Sequence, residues 1–456
     1  MSSLVVVILA AGQGKRMKSS LPKVLHGLAG RTLLEHVVER AQAVHPQPAE
    51  TFVVYGHGGD LVPARLAHLP VRWVEQPEQR GTGHAVMQAL PRVAEDATVL
   101  VLYGDVPLVD PAGLSQVVAG VSERAVALMT VTLENPSGYG RIRRDSTGAV
   151  VGVVEERDAS AAERIITDVN TGILAARAGA LRRWLSALDD RNAQGEMYLT
   201  DVVGMAASEG FGVHTVAPRC VEEVLGVNDR AQLAHLERHV QRLEAERLMS
   251  EGVTLRDPAR FDVRGEVVAA GDVTIDVGVI LQGRVVLGEG VSIGPYAVIT
   301  DSEIGPHTQI LANCVIEGAR IGANCRVGPF SRMRPAVRLE DGVHVGNFVE
   351  IKQSAFGQGS KANHLSYVGD SEIGRRVNVG AGTIVCNYDG AHKHPTFIGD
   401  EAFIGSGTEL VAPVKVGAGA TIGAGSTITK DTPPGKLTLS RARQVTVEGW
   451  KRPRKK

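Results

Sequence analysis

Apolar positions follow two different rules along this chain. Near its start, Leu4–Leu9 is an unbroken aliphatic run that stops at Ala10-Ala11-Gly12-Gln13-Gly14. A run without polar alternation reads as a parallel strand buried on both faces, here entering a glycine-rich loop with a helix expected after it. Further strands are predicted over 51–55 and 98–103, alternating with helical patterns over 33–44 and 84–93. Such alternation predicts a doubly wound α/β sheet whose ligands gather at the carboxyl ends of the strands, beside Gly12, Gly14 and Gly104-Asp105.

The rule then changes twice. Leu233, Leu236, Val240 and Leu243 recur at three- and four-residue steps among charged residues, predicting an amphipathic helix over 229–251 that packs against its own chain. Beyond it, Ile275, Leu281, Leu287, Ile293 and Ile299 fall six apart. The period resumes after five-residue steps at Ile304, Ile310 and Ile316, and then from Ile321 through Val327, Met333, Leu339 and Val345 to Ile351. It returns at Ile373, Val379 and Val385, and again from Ile398 to Ile422. Six residues make one short strand and a turn, so three repeats close a triangular coil with aliphatic side chains stacked inside, a parallel β-helix. The breaks at 351–373 and 385–398 are expected to project from the coil as loops. The resulting division is 1–230, a helical linker 231–251, and 252–456.

Composition sharpens this division. Of 53 glycines, 23 lie in 1–250 and 30 in the shorter remainder, while aromatic residues make up only 4% of the chain. Lys plus Arg number 49 against 50 Asp plus Glu, so the net charge of −1 supplies no global field for a nucleic acid. No apolar stretch approaches the roughly 20 residues of a membrane span. The Leu4–Leu9 run is also too short and too soon followed by charge for a signal peptide, so a cytoplasmic protein with no membrane partner is expected. Cys220, Cys314, Cys325 and Cys386 form neither a CxxC pair nor a zinc-like cluster.

The first glycine loop is not a Walker A motif, because Arg16 follows Gly14-Lys15, and Met17 stands where a dinucleotide fingerprint needs its third glycine. Arg16 and Pro22-Lys23 instead place two cations where the chain leaves a backbone phosphate cradle. Gly12-x-Gly14-x-Arg16 with Pro22-Lys23 resembles the signature of the sugar-1-phosphate nucleotidyltransferases, which have a Rossmann-like α/β domain. The likeness continues through Gln76, Gly81-Thr82-Gly83, Tyr103-Gly104-Asp105-Val106-Pro107, Gly138-Tyr139-Gly140-Arg141, Val154-Glu155, Asn170-Thr171-Gly172 and Gly226-Val227-Asn228. In that chemistry a sugar-1-phosphate oxygen attacks the α-phosphorus of a nucleoside triphosphate. The nucleophile is already anionic, so no general base is needed and charge repulsion is the obstacle. Arg16 and Lys23 would hold the triphosphate of UTP. The resemblance implies one Mg²⁺ held by Asp105 and Asn228. It assigns uracil and ribose to Leu9, Ala10, Ala11, Gly12, Gln76, Gly81 and Thr82, places Tyr103 and Gly104 in the same nucleotide-sugar site, and gives the sugar to Gly140, Glu155, Asn170 and Asn228. Glu156 adjoins Glu155 and leaves that one assignment open between the two.

In the repeat region, His364 stands among Arg332, Arg334, Lys352, Lys361 and Tyr367, a charged setting unlike that of an idle surface histidine. Such coils resemble acyl-CoA-dependent acyltransferases, which implies a left-handed coil. The order Gly346-Asn347-Phe348-Val349-Glu350-Ile351-Lys352, Lys361-Ala362-Asn363-His364, Tyr367, Gly380-Ala381-Gly382-Thr383, Cys386-Asn387-Tyr388-Asp389-Gly390 and Leu410-Val411-Ala412-Pro413 resembles one family across the whole chain. That family is the bacterial bifunctional N-acetylglucosamine-1-phosphate uridyltransferases and glucosamine-1-phosphate N-acetyltransferases. It implies acetyl transfer from acetyl-CoA to the amine of glucosamine-1-phosphate with His364 as base, followed by uridylyl transfer to N-acetylglucosamine-1-phosphate. By the same resemblance Arg334 and Lys352 clamp the sugar phosphate; Lys393 is a further candidate beside them, in a segment, 391–395, that departs from the family pattern. Tyr367 and Asn378 orient the sugar. Ala381, Ser406, Ala424 and Arg441 line the acetyl-CoA cleft with Asn387 and Tyr388 on its sugar side, in a homotrimer. The basic end 451–456 reads as a solvated, frayed terminus. A nucleotidyltransferase with a merely regulatory coil and a non-catalytic sensor are the competing readings.

Overall fold

The computed structural model describes residues 3–56 and 58–455. The chain divides into two compact units, Met1–His239 and Val240–Lys456.

The first unit is built on a nine-stranded sheet. Leu4–Leu9 lies at its centre, parallel to Glu50–Tyr55 on one side and to Thr98–Tyr103 on the other. All six residues of that central strand are buried, and they serve two cores in alternation. Leu4, Val6 and Ile8 pack with Leu34, Val37 and Val38, whereas Val5, Val7 and Leu9 pack with Val86, Ala89 and Leu185. Covering both faces is what makes the run continuously apolar. The sheet is mixed rather than wholly parallel, because Asp168–Arg177 runs antiparallel to Thr98–Tyr103 and to Ala125–Thr132.

Two local expectations change. No long helix follows the glycine loop: Lys15–Met17 is one 3-10 turn, flanked by left-handed Gly14 (φ 58°) and Lys18 (φ 48°), and Pro22 precedes a second short turn. The first long helix is Leu33–Gln42, fixed by a capping box in which Thr32 Oγ1 accepts from Glu35 N at 3.2 Å and Glu35 Oε2 accepts from Thr32 N at 2.7 Å. The helical pattern over 84–93 becomes Thr82–Ala89 followed by the 3-10 turn Leu90–Arg92, since Pro91 cannot continue the α-helix.

The helix Arg230–Ser250 matches the predicted span, with Leu236 buried, but Leu243 is exposed. Its second half buries Gln241, Ala245 and Leu248 instead. Gln241 takes a stripe position because its amide is spent on the end of the coil: Oε1 accepts from Val263 N and Nε2 donates to Val263 O, each at 2.7 Å.

The second unit is a parallel β-helix. Interior ladders climb one face through Ile293, Ile310, Val327, Val345, Ala362 and Val379. A second ladder climbs through Ile299, Ile316, Met333, Ile351 and Val368, and a third through Ile304, Ile321, Leu339, Phe356 and Ile373. Along these ladders successive rungs are 17 or 18 residues apart until Ile373 pairs with Ile398 and Val379 with Ile404, a 25-residue turn. The surplus forms the excursion after Cys386, as the second break in the period predicts. The first break is not a loop. Residues 351–373 complete a regular turn whose rungs are Phe356, Ala362 and Val368. The period is masked there because a five-residue step follows Ile351 and because small Ala362 fills an interior place otherwise held by a larger side chain.

Candidate functional site

In the first unit a cleft of about 700 Å³ opens at the carboxyl ends of the parallel strands. Of the predicted nucleotide residues, Leu9, Ala10, Ala11, Gly12, Arg16, Lys23, Gln76, Gly81, Thr82, Tyr103, Asp105 and Asn228 line it. Gly104 ties the floor together by donating its N–H to Leu9 O at 2.9 Å, and Ala10 N donates to Val54 O at 2.8 Å. Gly14 folds the loop onto the second cation: a Cβ there would stand 2.9 Å from Lys23 Cβ. The two halves of the Gly-x-Gly-x-Arg and Pro-Lys motif are therefore in contact, with Arg16 exposed at the rim.

The Lys23 ammonium is in contact with Asp105 Oδ2 and lies 3.3 Å from Asn228 Oδ1. Val227 N donates to Asp105 O at 2.9 Å, which fixes the two oxygen-bearing residues relative to each other. An ammonium already occupies the space between these oxygens, so the pair suits a cation. Two hard oxygen donors with open positions fit a Mg²⁺ that keeps waters and substrate phosphates as its other ligands. Among the described residues no group of three or more His, Cys, Asp or Glu side chains could hold a metal without such help.

Gly140, Glu155 and Asn170 come together beside this cleft. Asn170 pairs in register with Gly140, and Arg141 pairs with Val154. Burial raises the Glu155 carboxyl above its ordinary range, with Asp201, Asp158 and Glu196 adding to the rise and the Thr200 hydroxyl, 2.8 Å away, opposing it. Glu156 points elsewhere, into an ion pair with Arg141 at 2.7 Å, so Glu155 is the buried member of the two. Asn170 Oδ1 is buried without a hydrogen-bond partner, an acceptor left over for a ligand. Tyr103 is pushed far above its usual pKa by burial and then by Glu155. The missed residues are Thr200, Gln79 (whose Oε1 accepts from Gln13 Nε2 at 3.0 Å) and His84, none of which sits at a spacing that signals chemistry.

In the second unit, His364 Nδ1 lies 2.9 Å from Asn347 Oδ1, its in-register neighbour one turn earlier. An amide oxygen only accepts, so Nδ1 is the donor in this pair, and Nε2 is the nitrogen that is basic when the ring is neutral. Asn347 stands in the quoted motif but carried no assigned role. On the adjoining face Arg334, Lys352 and Tyr367 belong to consecutive turns. Arg334 Nη1 donates to Glu350 Oε1 at 3.2 Å, and Asn387 reaches the Asp370 carboxylate. The Lys393 ammonium beside Lys352 lowers the latter's pKa below its ordinary value, and desolvation adds to the effect. The excursion presenting Lys393 is knotted at Asp389, whose carboxylate accepts from Ala391 N, His392 N and His394 Nε2 at 2.7 to 2.8 Å. Tyr388 is exposed and donates to Gly390 O at 2.5 Å.

The acetyl-CoA candidates share one corner of the coil with His364. Gly382 N donates to His364 O at 3.3 Å, Gly407 N to Ala381 O at 2.7 Å and Gly425 N to Ser406 O at 2.9 Å, while the Arg441 guanidinium donates to Ala424 O at 2.7 Å. Asn378 does not join the Arg334 face. It pairs with Lys361 and Phe403 on the face that precedes this corner. Residues 451–455 are exposed and irregular, and Lys456 lies outside the described residues. The four cysteines are free, Cys314 and Cys325 buried in the coil.

These two sites define a two-headed transferase. Residues 6–198 match the MobA-like NTP transferase domain, and 301–335, 318–353 and 395–430 match the bacterial transferase hexapeptide. The chain is 60% identical to the bifunctional protein GlmU of Methylococcus capsulatus over 99% of its own length and 98% of that protein. It is 56% identical to that of Aromatoleum aromaticum, over 99% of both, and 55% identical to that of Azoarcus sp., over 98% and 99%. It belongs to the bifunctional GlmU family. The chain is accordingly an enzyme with a nucleotidyltransferase domain and a hexapeptide-type acyltransferase domain. No described helix is long and apolar enough to cross a membrane.

Proposed function

We propose that the coil acetylates glucosamine-1-phosphate from acetyl-CoA and that the α/β unit then joins N-acetylglucosamine-1-phosphate to UMP from UTP, releasing pyrophosphate. The observation that carries this reading is the His364–Asn347 pair, which gives the repeat a base that a scaffold would not need. In the acetyl transfer, His364 Nε2 takes a proton from the sugar amine, the freed nitrogen attacks the thioester carbonyl, and CoA leaves as a thiolate that is then protonated. Lys352, Lys393 and Arg334 hold the sugar phosphate, and the mutual repulsion of the two ammonium groups is relieved when the dianion arrives. Tyr367, Asn387 and Tyr388 orient the sugar, and Asn378, which stands on another face of its own coil, reaches it from a neighbouring coil of a homotrimer; Ala381, Ser406, Ala424 and Arg441 receive acetyl-CoA.

In the uridylyl transfer, Arg16 and Lys23 bind the triphosphate and offset the repulsion between two anions. Mg²⁺, held by Asp105 and Asn228, supplies further charge neutralisation at the phosphates when bound. Lys23 then exchanges its contacts with those two residues for phosphate oxygens. Glu155, Asn170 and Gly140 fix the N-acetyl sugar. A homotrimer of coils is supported by the exposed corner residues Tyr296, Phe330, Phe348 and Leu365, of which Phe330 and Phe348 stack at 5.5 Å. Mass analysis of products tests the scheme. With acetyl-CoA, UTP, Mg²⁺ and glucosamine-1-phosphate, UDP-N-acetylglucosamine is expected. Equal yield of un-acetylated UDP-glucosamine when acetyl-CoA is withheld would overturn the order of steps.

A further inference from the structure

The nucleotide cleft contains a hydrogen-bond relay that the motifs do not account for. Gln76 lines the cleft although only 3% of it is exposed. Its Nε2 lies 3.2 Å from the Gly81 carbonyl and 3.1 Å from His84 Nδ1. A carbonyl only accepts, so the amide end that faces Gly81 has to be the NH2. The second N–H of that group then meets His84 Nδ1, which accepts only from a neutral ring protonated at Nε2. Gln88, one turn along the same helix, places its amide 3.1 Å from that Nε2 and 3.1 Å from the His84 carbonyl. A neutral ring cannot accept at both nitrogens, so one of the two amides must present its oxygen; Gln88 is half-buried and can turn its NH2 to solvent, whereas the buried Gln76 would set its oxygen against the Gly81 carbonyl. Both hydrogens of the Gln76 amide are thereby committed, and Oε1 is the end left for the cleft.

We infer that His84 is a specificity-determining residue for the nucleotide base, holding Gln76 so that an acceptor, and not a donor, meets the pyrimidine. The inference rests on the uridylyl-transfer reading. Uracil presents N3–H to such an oxygen, whereas cytosine presents the N3 lone pair, and two acceptors repel. Thymine carries the same N3–H as uracil, so the relay excludes cytosine and leaves thymine to other contacts. His84 touches neither substrate in this scheme and acts through Gln76 as a positioning residue.

The test measures pyrophosphate release by the full-length enzyme from UTP and from CTP, with N-acetylglucosamine-1-phosphate and Mg²⁺, in wild type, His84→Phe and His84→Asn. Wild type is expected to prefer UTP. His84→Phe, which removes the acceptor, should lower the ratio of kcat/KM for UTP over CTP about tenfold, the worth of one hydrogen bond. His84→Asn, whose Oδ1 can stand where Nδ1 stood, should retain most of the ratio. Thiol release from acetyl-CoA, unchanged in all three, reports that the coil is intact, and an unchanged melting curve reports that the α/β unit is folded. If His84→Phe does not fold, His84→Ala carries the same prediction. A fall in both nucleotides by one factor, with the ratio unchanged, would make His84 structural and overturn the inference. A wild type indifferent between UTP and CTP would overturn the uridylyl reading itself.

Discussion

The two units solve the same problem, holding a phosphorylated sugar beside an activated donor, with opposite kinds of backbone. In the α/β unit the cleft is made of loops that break every local regularity: left-handed Gly14, Gly81 at φ 112° and a turn carrying Gly104-Asp105. In the coil, the base, its orienting amide and the proposed acetyl-CoA residues are rungs of one periodic corner, linked by successive backbone hydrogen bonds. Irregular loops permit a deep, specific cleft in which one substitution is felt widely. A periodic corner places side chains accurately along a line and leaves them exposed, so the coil has little enclosure of its own.

That contrast can be broken at its strongest point first. His364→Ala should lower acetyl transfer by about 10²- to 10⁴-fold, the usual worth of a general base, with the coil's thermal transition unmoved because the side chain is exposed. Gly81→Ala should be nearly as damaging to uridylyl transfer, for a structural reason. Its Cβ would stand 2.6 Å from Met197 O on a backbone that side chains rarely adopt, and the expected loss is at least about tenfold in kcat/KM. Lys393→Ala should raise KM for glucosamine-1-phosphate about tenfold with kcat little changed, which steady-state kinetics of thiol release would read. The smallest effect is on stability. Glu155 has its pKa raised in the fold, so its ionised form costs stability above the ordinary carboxylate range, and the cost vanishes as pH falls below that range. Glu155→Gln should therefore raise the melting temperature at pH 7 and lose that advantage near pH 4, as melting curves at the two pH values would show.

The same contrast explains what the sequence disclosed. Apolar periodicity reports burial, so Leu4–Leu9 and the Ile and Val rungs of the coil were legible from spacing alone. It failed where an interior place is filled by an atypical side chain. Ala362 hid a whole regular turn, and Gln241 replaced the expected Leu243 because the end of the coil needed hydrogen bonds more than apolar area. Motif residues were legible because glycine loops and paired cations sit close in sequence, as with Gly14 and Lys23. Their partners were not. Asn347 lies 17 residues from His364, Thr200 lies 45 from Glu155, and Lys393 reaches Lys352 only because the excursion folds back, so each pairing exists only after the chain has closed. The helix expected after the first glycine loop failed for a local reason, two left-handed residues and a proline within nine positions.

A single assay shows whether one chain carries two independent sites. Free CoA thiol and pyrophosphate are followed separately in wild type, His364→Ala and Asp105→Ala, with glucosamine-1-phosphate or N-acetylglucosamine-1-phosphate as the sugar. His364→Ala is expected to lose thiol release yet to release pyrophosphate normally from the acetylated sugar, and Asp105→Ala to do the reverse. Loss of pyrophosphate from N-acetylglucosamine-1-phosphate in His364→Ala, loss of thiol from glucosamine-1-phosphate in Asp105→Ala, or a wild type that yields pyrophosphate but never thiol would contradict it.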